Sequence, residues 1–120
     1  MSFQEAILHR EPLVFSTVTK SGKPHSNVML SLGMVDEKIL IGLCFLNTTF
    51  ENLQANNSVC LITCGDKGYF RIKGKVEMFK TGKYFDLAIS LSKPPLPKMA
   101  VLVSIDEVFD LSAGNIVELN

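Results

Sequence analysis

The sequence predicts a mainly β fold, an antiparallel barrel with a few short helices. Six or seven short apolar runs are rich in valine, isoleucine and phenylalanine, a composition typical of strands. Turn signals such as the Lys-Ser-Gly-Lys of residues 20–23 separate most of these runs by only a few residues, so consecutive strands should pair as hairpins. A doubly wound parallel sheet would instead require a helix between successive strands. We therefore expect a single barrel domain over residues 1–120.

The first half of the chain predicts a short helix followed by strands. Ser2, with apolar residues at Phe3 and Ile7, indicates one or two turns of amphipathic helix. Gly22 stands where a hairpin turn requires a positive φ. The predicted elements are, in order, a helix within residues 2–10 and strands at 13–19, 24–31 and 39–46.

The second half predicts one long amphipathic strand among buried ones. In residues 69–79 apolar side chains alternate with charged ones, so one face should lie in the core and the other in water. Gly74, at the centre of this strand, predicts a bend or a close backbone approach. The predicted elements are, in order, a helix at 48–57, strands at 58–64 and 69–79, a helix at 84–91, and strands at 99–111 and 116–119.

The stretch from Asn47 to Asn57 has the form of a helix N-terminus between two buried strands. Thr48 and Thr49 can cap its exposed amides, and Glu51 lies near the positive end of the helix dipole. Unpaired N–H groups and the dipole both favour an anion at such a position, and phosphate is the expected one. The alternative is that the hydroxyl groups only cap a surface helix.

Composition favours a protein that hides apolar surface against a second subunit. Hydrophobic residues make up 47% of the chain and the mean hydropathy is +0.25, which is high for so few residues. The 12 basic and 12 acidic residues are scattered, so we do not expect a nucleic-acid binder. Because the chain shows neither a transmembrane-length apolar run nor a signal-like start, we expect a cytoplasmic protein without a membrane partner.

The three cysteines predict no metal site and no disulfide. Cys44, Cys60 and Cys64 lie in apolar runs, where cysteine behaves as a small hydrophobic residue. The spacing of Cys60 and Cys64 is not that of a redox Cys-x-x-Cys motif, and no second ligand pair accompanies it. Buried, reduced thiols are the expectation, with zinc and disulfide roles as alternatives.

The order of the motifs resembles that of the FMN-binding split-barrel family, which includes pyridoxamine 5′-phosphate oxidase-like proteins and small FMN-binding proteins. The resemblance covers residues 13–111 and depends on the order and spacing of three segments. These segments are STVTKSGKPH at residues 16–25, TFENLQAN at 49–56 and FRIKGKV at 70–76.

This resemblance implies a six-stranded antiparallel split barrel with Greek-key character that forms a homodimer with FMN at the subunit interface. It implies phosphate contacts from Thr48, Thr49 and Asn52. It also implies that the flavin ring and ribityl chain lie along residues Ser26, Asn27, Val28 and Met29. Relatives commonly carry a lysine or arginine where this chain has Thr48, and a charged contact to phosphate is about twice as strong as a neutral one. Arg71 or Lys73 could supply that charge, although an ordinary solvated strand face is an equal alternative.

The function that the resemblance implies is that of an FMN-dependent oxidoreductase acting on a small organic substrate, with NADH or NADPH as a possible electron source. Pyridoxamine phosphate oxidase activity itself is not expected, because the sequence shows no basic cluster for a substrate phosphate. The catalytic residues are unknown; His25 is the candidate for proton transfer, against a structural role beside its turn. The alternatives are a non-catalytic flavin or electron carrier, and a barrel that has lost flavin and binds another planar ligand such as haem.

Overall fold

A computed structural model describes residues 2–45 and 47–119 of the chain. The predicted strand end at Leu46 and the predicted domain ends at residues 1 and 120 lie outside the described residues. The helices are α1 (Phe3–Ala6), α2 (Thr48–Ala55) and α3 (Lys83–Leu91). The strands are β1 (Pro12–Val18), β2 (Pro24–Leu30), β3 (Met34–Val35), β4 (Lys38–Leu43), β5 (Ser58–Thr63), β6 (Phe70–Phe79), β7 (Met99–Asp110) and β8 (Asn115–Val117).

All strand pairs are antiparallel, and they form one sheet in the order β2-β1-β5-β6-β7-β4-β3, with β8 added to β7. The predicted mainly β, split-barrel fold is confirmed. β2 and β3 lie at opposite ends of the sheet although only residues 31–33 join them, so the sheet curls round without continuous closure. The backbone of this connection bonds to β4, through Leu32 N to the Leu40 carbonyl and Leu40 N to the Gly33 carbonyl, both at 2.9 Å.

The sheet has eight strands rather than the six expected. Beyond the six that the resemblance implies are the short β3, of 2 residues, which the sequence did not predict, and β8, of 3 residues, which it predicted at 116–119; both extend existing hairpins. The N-terminal helix is also shorter than the predicted 2–10. It begins with the expected cap at Ser2 but ends at Ala6, and Ile7 then turns fully into the core.

The barrel interior holds the main hydrophobic core, to which β1, β4, β5, β6 and β7 all contribute. A second cluster lies outside the barrel, where α3 covers Leu40, Ala100 and Leu102. β4 is therefore buried on both faces, as its continuous apolar run predicted. The predicted close approach at Gly74 is confirmed as well, because an added Cβ would collide with the Ser104 carbonyl at a register shift between β6 and β7. Among the described residues, the helices are too short and too polar to cross a bilayer.

Candidate functional site

The β2 strand lies at one end of the sheet and has one exposed and one half-buried face. Pro24, Ser26, Val28 and Leu30 point outward, whereas His25, Asn27 and Met29 point toward the barrel. Only β1 bonds to β2 in the sheet, so the other edge of β2 remains available. The strand that the resemblance assigned to the flavin ring is therefore an accessible edge.

A hydrogen bond joins this edge to the start of α2. Asn27 Nδ2 donates to Thr49 Oγ1 at 2.6 Å, and the same nitrogen donates to His25 Nε2 at 3.2 Å. Thr49 is only 1% exposed, so its hydroxyl lies beneath the mouth of the site rather than on the helix surface. Two residues predicted to contact the cofactor are thus brought together by folding.

The N-cap of α2 is Asn47, so the prediction that Thr48 or Thr49 caps this helix is wrong. The Thr49 amide donates to Asn47 Oδ1 at 3.2 Å, and the Glu51 amide donates to the Asn47 carbonyl at 3.1 Å. The Asn47 side chain precedes the first helical residue and can reach the exposed amides, whereas Thr48 is already helical. Capping therefore uses neither threonine hydroxyl.

Asn52 is directed into the protein rather than toward the helix N-terminus. It is 4% exposed, and its Nδ2 donates to Thr17 Oγ1 of β1 at 3.0 Å. This bond fixes α2 against the barrel. In the described structure the Asn52 amide group thus donates one hydrogen to Thr17.

A cleft of about 590 Å³ lies between β2, the end of β4, the start of α2 and the end of α3, and we call it the β2–α2 cleft. Its size is typical of cofactor and ligand clefts. Four of the predicted cofactor-binding residues line it: Asn27, Val28, Met29 and Thr49. The other lining residues are His9, Arg10, Leu30, Ser31, Leu32, Gly42, Leu43, Cys44, Phe45, Asn47, Leu91, Ser92, Lys93, Pro94 and Pro95.

A second cleft, of about 540 Å³, lies between α2 and the turn of the β1–β2 hairpin, and we call it the hairpin cleft. Thr48 and Asn52 line it, together with Lys20. Lys20 is therefore the cation that shares a cleft with Thr48, a neighbour that sequence reasoning missed. Nothing in the spacing of these residues indicates the contact, because it depends on how α2 packs against β1.

Arg71 and Lys73 lie on the outer face of β6, and neither lines either cleft. The Arg71 guanidinium lies 4.8 Å from the ring centroid of Phe109, and its buried Nε has no hydrogen-bond partner among the described residues. Lys73 is exposed and lies opposite Cys60 and Glu107 in the sheet. Ser26 also points away from the cleft, and its hydroxyl bonds to that of Ser16 at 2.8 Å.

A polar brace holds the start of α3, the helix whose other end forms one wall of the β2–α2 cleft. Asp36 Oδ2 accepts hydrogen bonds from the Tyr84 hydroxyl at 2.6 Å and from Lys83 Nζ at 3.1 Å. The Tyr84 bond, followed by the Lys83 bond, lowers the pKa of Asp36, and the bond to Asp36 raises the pKa of both Tyr84 and Lys83. Asp36 and Lys83 are exposed, Tyr84 is half-buried, and all three lie outside the site, so the brace positions the cleft wall.

The cysteines are free, but they are not all buried as expected. Cys64 is exposed just beyond the end of β5, whereas Cys60 is half-buried on its outer face. Cys44 is half-buried in the cleft wall, where its thiol donates to the Pro95 carbonyl at 3.5 Å. Within residues 2–45 and 47–119, no group of three or more His, Cys, Asp or Glu side chains is arranged to hold a metal ion.

Residues 2–111 match the family model of pyridoxamine 5′-phosphate oxidase. The chain belongs to this family. An uncharacterized protein of Methanocaldococcus jannaschii is 34% identical over 116 residues, a match that covers 89% of this chain and 77% of the relative.

Solved structures of family-like proteins share the fold at low sequence identity. HupZ of Group A Streptococcus superposes with a TM-score of 0.84 at 18% identity, covering 96% of this chain and 95% of HupZ. HutZ of Vibrio cholerae, described as a heme storage protein, superposes with a TM-score of 0.69 at 14% identity, covering 90% of this chain and 91% of HutZ. At these identities the likeness shows the split-barrel fold alone.

Proposed function

We propose that this family member is a flavoprotein that binds FMN in the β2–α2 cleft and acts as an oxidoreductase on a small organic substrate. The observation that carries the proposal is the Asn27–Thr49 hydrogen bond, which joins the predicted flavin strand to the predicted phosphate helix inside one cleft. When bound, a flavin supplies the electron-transfer chemistry, so the protein has to bind, orient and shield it.

The hydrogen-bond donors at the α2 end of the cleft suit a phosphate group, whose oxygens accept hydrogen bonds. Thr49 Oγ1 accepts its hydrogen bond from Asn27, which leaves the hydroxyl hydrogen free to donate to an anion. A donor that already accepts a hydrogen bond is polarised and donates more strongly. Thr48, the residue before Thr49, lines the hairpin cleft and would add a hydroxyl, whereas the charge of Lys20 there stands beside the Glu51 carboxylate.

The apolar part of the cleft fits a planar ring. Val28 and Met29 of β2 line the cleft together with Leu43 and Phe45, so a ring could lie against the free edge of β2. Asn52 would then hold α2 in place through Thr17, and the second hydrogen of its amide could still donate to a phosphate. His25 is outside the cleft lining and touches Asn27, so we assign it the role of orienting Asn27.

We propose further that two copies associate through the outer face of the sheet. Six outward-facing residues form one continuous cross-strand row, which we call the outer row: Val28, Val14, Ile62, Arg71, Phe109 and Ile116. Its terminal members, Val28 and Ile116, are 71% and 59% exposed. Exposure of large apolar side chains to water on one face is unfavourable and unusual. Because Val28 also lines the β2–α2 cleft, a second subunit on this row would border the cofactor.

The dimer would also give Arg71 and Lys73 a route to the cofactor. Both face outward on β6, so they could approach a flavin only across a subunit interface. Arg71 belongs to the outer row, and its guanidinium could pair with an anionic group from a second subunit. We place the dimer in the cytoplasm, where free thiols such as Cys64 stay reduced.

Haem is the second candidate ligand. His9, Met29 and Cys44 line the same cleft, and these side-chain types can ligate haem iron. HutZ, a structural neighbour, is described as a heme storage protein. The Thr49 hydroxyl has a hydrogen free to donate to an anion, and it lies at the helix end predicted to hold a phosphate. This position favours FMN over haem.

Absorbance spectra of the purified protein, recorded before and after titration with FMN and separately with haemin, test the proposal. We expect FMN to bind with quenching of its fluorescence and the loaded protein to oxidise NADH or NADPH when an acceptor is present. Binding of haemin but not FMN would replace the flavin assignment by the haem one. FMN binding without turnover of any nicotinamide donor would indicate a flavin or electron carrier.

A further inference from the structure

The β2–α2 cleft has a cationic end opposite α2 that the FMN assignment does not use. His9, Arg10 and Lys93 line this end, whereas the α2 end is lined by the uncharged Asn27, Asn47 and Thr49. The two cations, Arg10 and Lys93, come from two segments far apart in the chain, the residues after α1 and the loop after α3. The cleft is therefore polar at both ends and apolar between them, with positive charge at one end only.

Hydrogen bonds hold these two segments together. His9 Nε2 donates to the carbonyl of Leu91, the last residue of α3, at 2.9 Å. Lys93 follows two residues later, so this bond brings Lys93 to the same wall as His9 and Arg10. The Arg10 amide donates to the Ser31 carbonyl at 2.7 Å, and the fully buried Ser31 hydroxyl donates to the Ile7 carbonyl at 2.7 Å.

The backbone at Arg10 has an unusual conformation, which supports a role for Arg10 in binding. Arg10 has a φ of 75°, in the left-handed region that favours glycine, asparagine and aspartate over arginine. Non-glycine residues in this conformation occur preferentially at ligand-binding and active sites. Arg10 is exposed, so packing of its stem in the core does not explain it.

The positive charge at this end is not neutralised by the protein. No Asp or Glu is among the described residues that line the cleft, and neither Arg10 nor Lys93 forms an ion pair within residues 2–45 and 47–119. Glu11 follows Arg10 but lies away from the cleft, since its Oε1 would be 2.8 Å from a Cβ added at Gly65. A cleft lined by charge of one sign concentrates the field and attracts the opposite charge.

We propose that this cationic end binds the carboxylate or phosphate of a small organic anion, the substrate, whose apolar part lies along Met29 and Leu43 beside the cofactor. The proposal rests on the proposed function for the role of the anion as substrate. It supplies the basic cluster that the sequence did not reveal, because the cluster exists only where α3 ends against the N-terminal segment. Binding of the anion itself requires only the cleft and the charges of Arg10 and Lys93.

The test compares a charged and a neutral probe of the same cleft on the full-length protein. 8-Anilinonaphthalene-1-sulfonate is an aromatic anion, and N-phenyl-1-naphthylamine is its uncharged counterpart. In the double variant Arg10→Gln/Lys93→Gln, we expect the Kd of the anionic probe to rise about tenfold and that of the neutral probe to change less than about twofold. Lys80→Gln, an exposed change that lines neither cleft, is the matched control and should alter neither Kd.

If Gln at position 10 prevents folding, Arg10→Asn replaces it, because asparagine tolerates a positive φ. An unchanged Kd for the anionic probe, or equal weakening of both probes, would overturn the proposal. Displacement of the anionic probe by benzoate would identify a carboxylate ligand and displacement by phenyl phosphate a phosphate ligand. Displacement by neither would also overturn it.

FMN titration of the same variants separates this proposal from the proposed function. We expect the double variant to keep its FMN affinity within about threefold, since these cations lie at the end away from the phosphate. An equal loss of FMN and probe affinity would show that the cations hold FMN, which overturns the second-ligand proposal. If the wild-type protein binds no FMN but binds the anionic probe in a charge-dependent way, the proposed function fails and the anion site stands.

Discussion

Asn27 and Thr49 are joined by a hydrogen bond of 2.6 Å, although they belong to different elements and lie 22 residues apart in the chain. The bond connects the free edge of β2 with the first turn of α2 and leaves the Thr49 hydroxyl hydrogen available to a ligand. Breaking it should affect both the binding of an anion and the stability of the fold, and these two effects can be measured separately.

Thr49→Ala should weaken FMN binding by about 1–2 kcal/mol, or roughly 5- to 30-fold in Kd, because one hydrogen bond to the phosphate is lost. Fluorescence quenching of FMN gives the affinity, and circular dichroism checks the fold. Thr49→Ser keeps the hydroxyl and should retain most of the affinity. An unchanged Kd in a folded Thr49→Ala protein would remove Thr49 from the site.

Asn52→Ala should lower the free energy of unfolding by about 1–3 kcal/mol, since Asn52 is 4% exposed and its loss leaves Thr17 without a partner. Urea unfolding measures the effect. Gln54→Ala, an exposed change on the same helix, should cost less than about 0.5 kcal/mol. Equal stability of the two variants would mean that the Asn52–Thr17 bond does not hold α2 to the barrel.

The brace at Asp36 should make stability depend on pH at both extremes. The folded-state pKa of Asp36 lies below its ordinary value of 3.8, so its contribution is present above that value and is lost as the pH falls through the lower folded-state pKa. The folded-state pKa of Tyr84 lies above its ordinary value of 10.0, so its contribution is present below that value and is lost as the pH rises through the folded-state pKa.

Tyr84→Phe removes the hydroxyl that links these two titrations. The difference in unfolding free energy between the wild type and Tyr84→Phe should be largest near neutral pH and should shrink in acid and in strong base. Urea unfolding at several pH values measures it. A difference that stays constant across the whole range would show that the Tyr84–Asp36 bond does not contribute in solution.

Val28→Asp should weaken self-association, because it places a charge at the exposed end of the outer row. Sedimentation equilibrium of the wild type and the variant measures the effect, and we expect the wild type to dimerise. Leu96→Asp changes a comparably exposed leucine that is not in the outer row and should leave the dimer intact. A monomeric wild type, or equal dissociation of both variants, would contradict the proposed interface.

Local patterns were sufficient to predict most of the secondary structure. β6 buries one face, and its sequence alternates apolar and charged residues. β4 buries both faces, and its sequence is a continuous apolar run. Gly74 correctly predicted a close backbone approach, because only a residue without a Cβ fits against Ser104 at the register shift. The short strand β3 was missed, since two residues carry too little periodicity to be recognised, whereas the terminal strand predicted at 116–119 is present as β8.

The site was only partly predictable. Asn27, Val28, Met29 and Thr49 lie in one cleft as expected, but Arg71 and Lys73 point to the other side of the sheet. Asn47 was overlooked as the cap of α2, because the adjacent threonines are equally good capping residues in sequence. The position of Lys20 beside Thr48 was not predictable, because it depends on packing between elements that are distant in the chain.

The sequence by itself determined the fold class, the family and the strand–helix unit that builds the cleft, since these follow from short-range patterns of burial and turn chemistry. The tertiary structure alone decided which hydroxyl accepts from Asn27, which face carries the outer row, and that His9, Arg10 and Lys93 meet at one end of the cleft. The physical reason is that side-chain direction and long-range contact depend on strand register and on where α3 ends. Neither is encoded in the spacing of neighbouring residues.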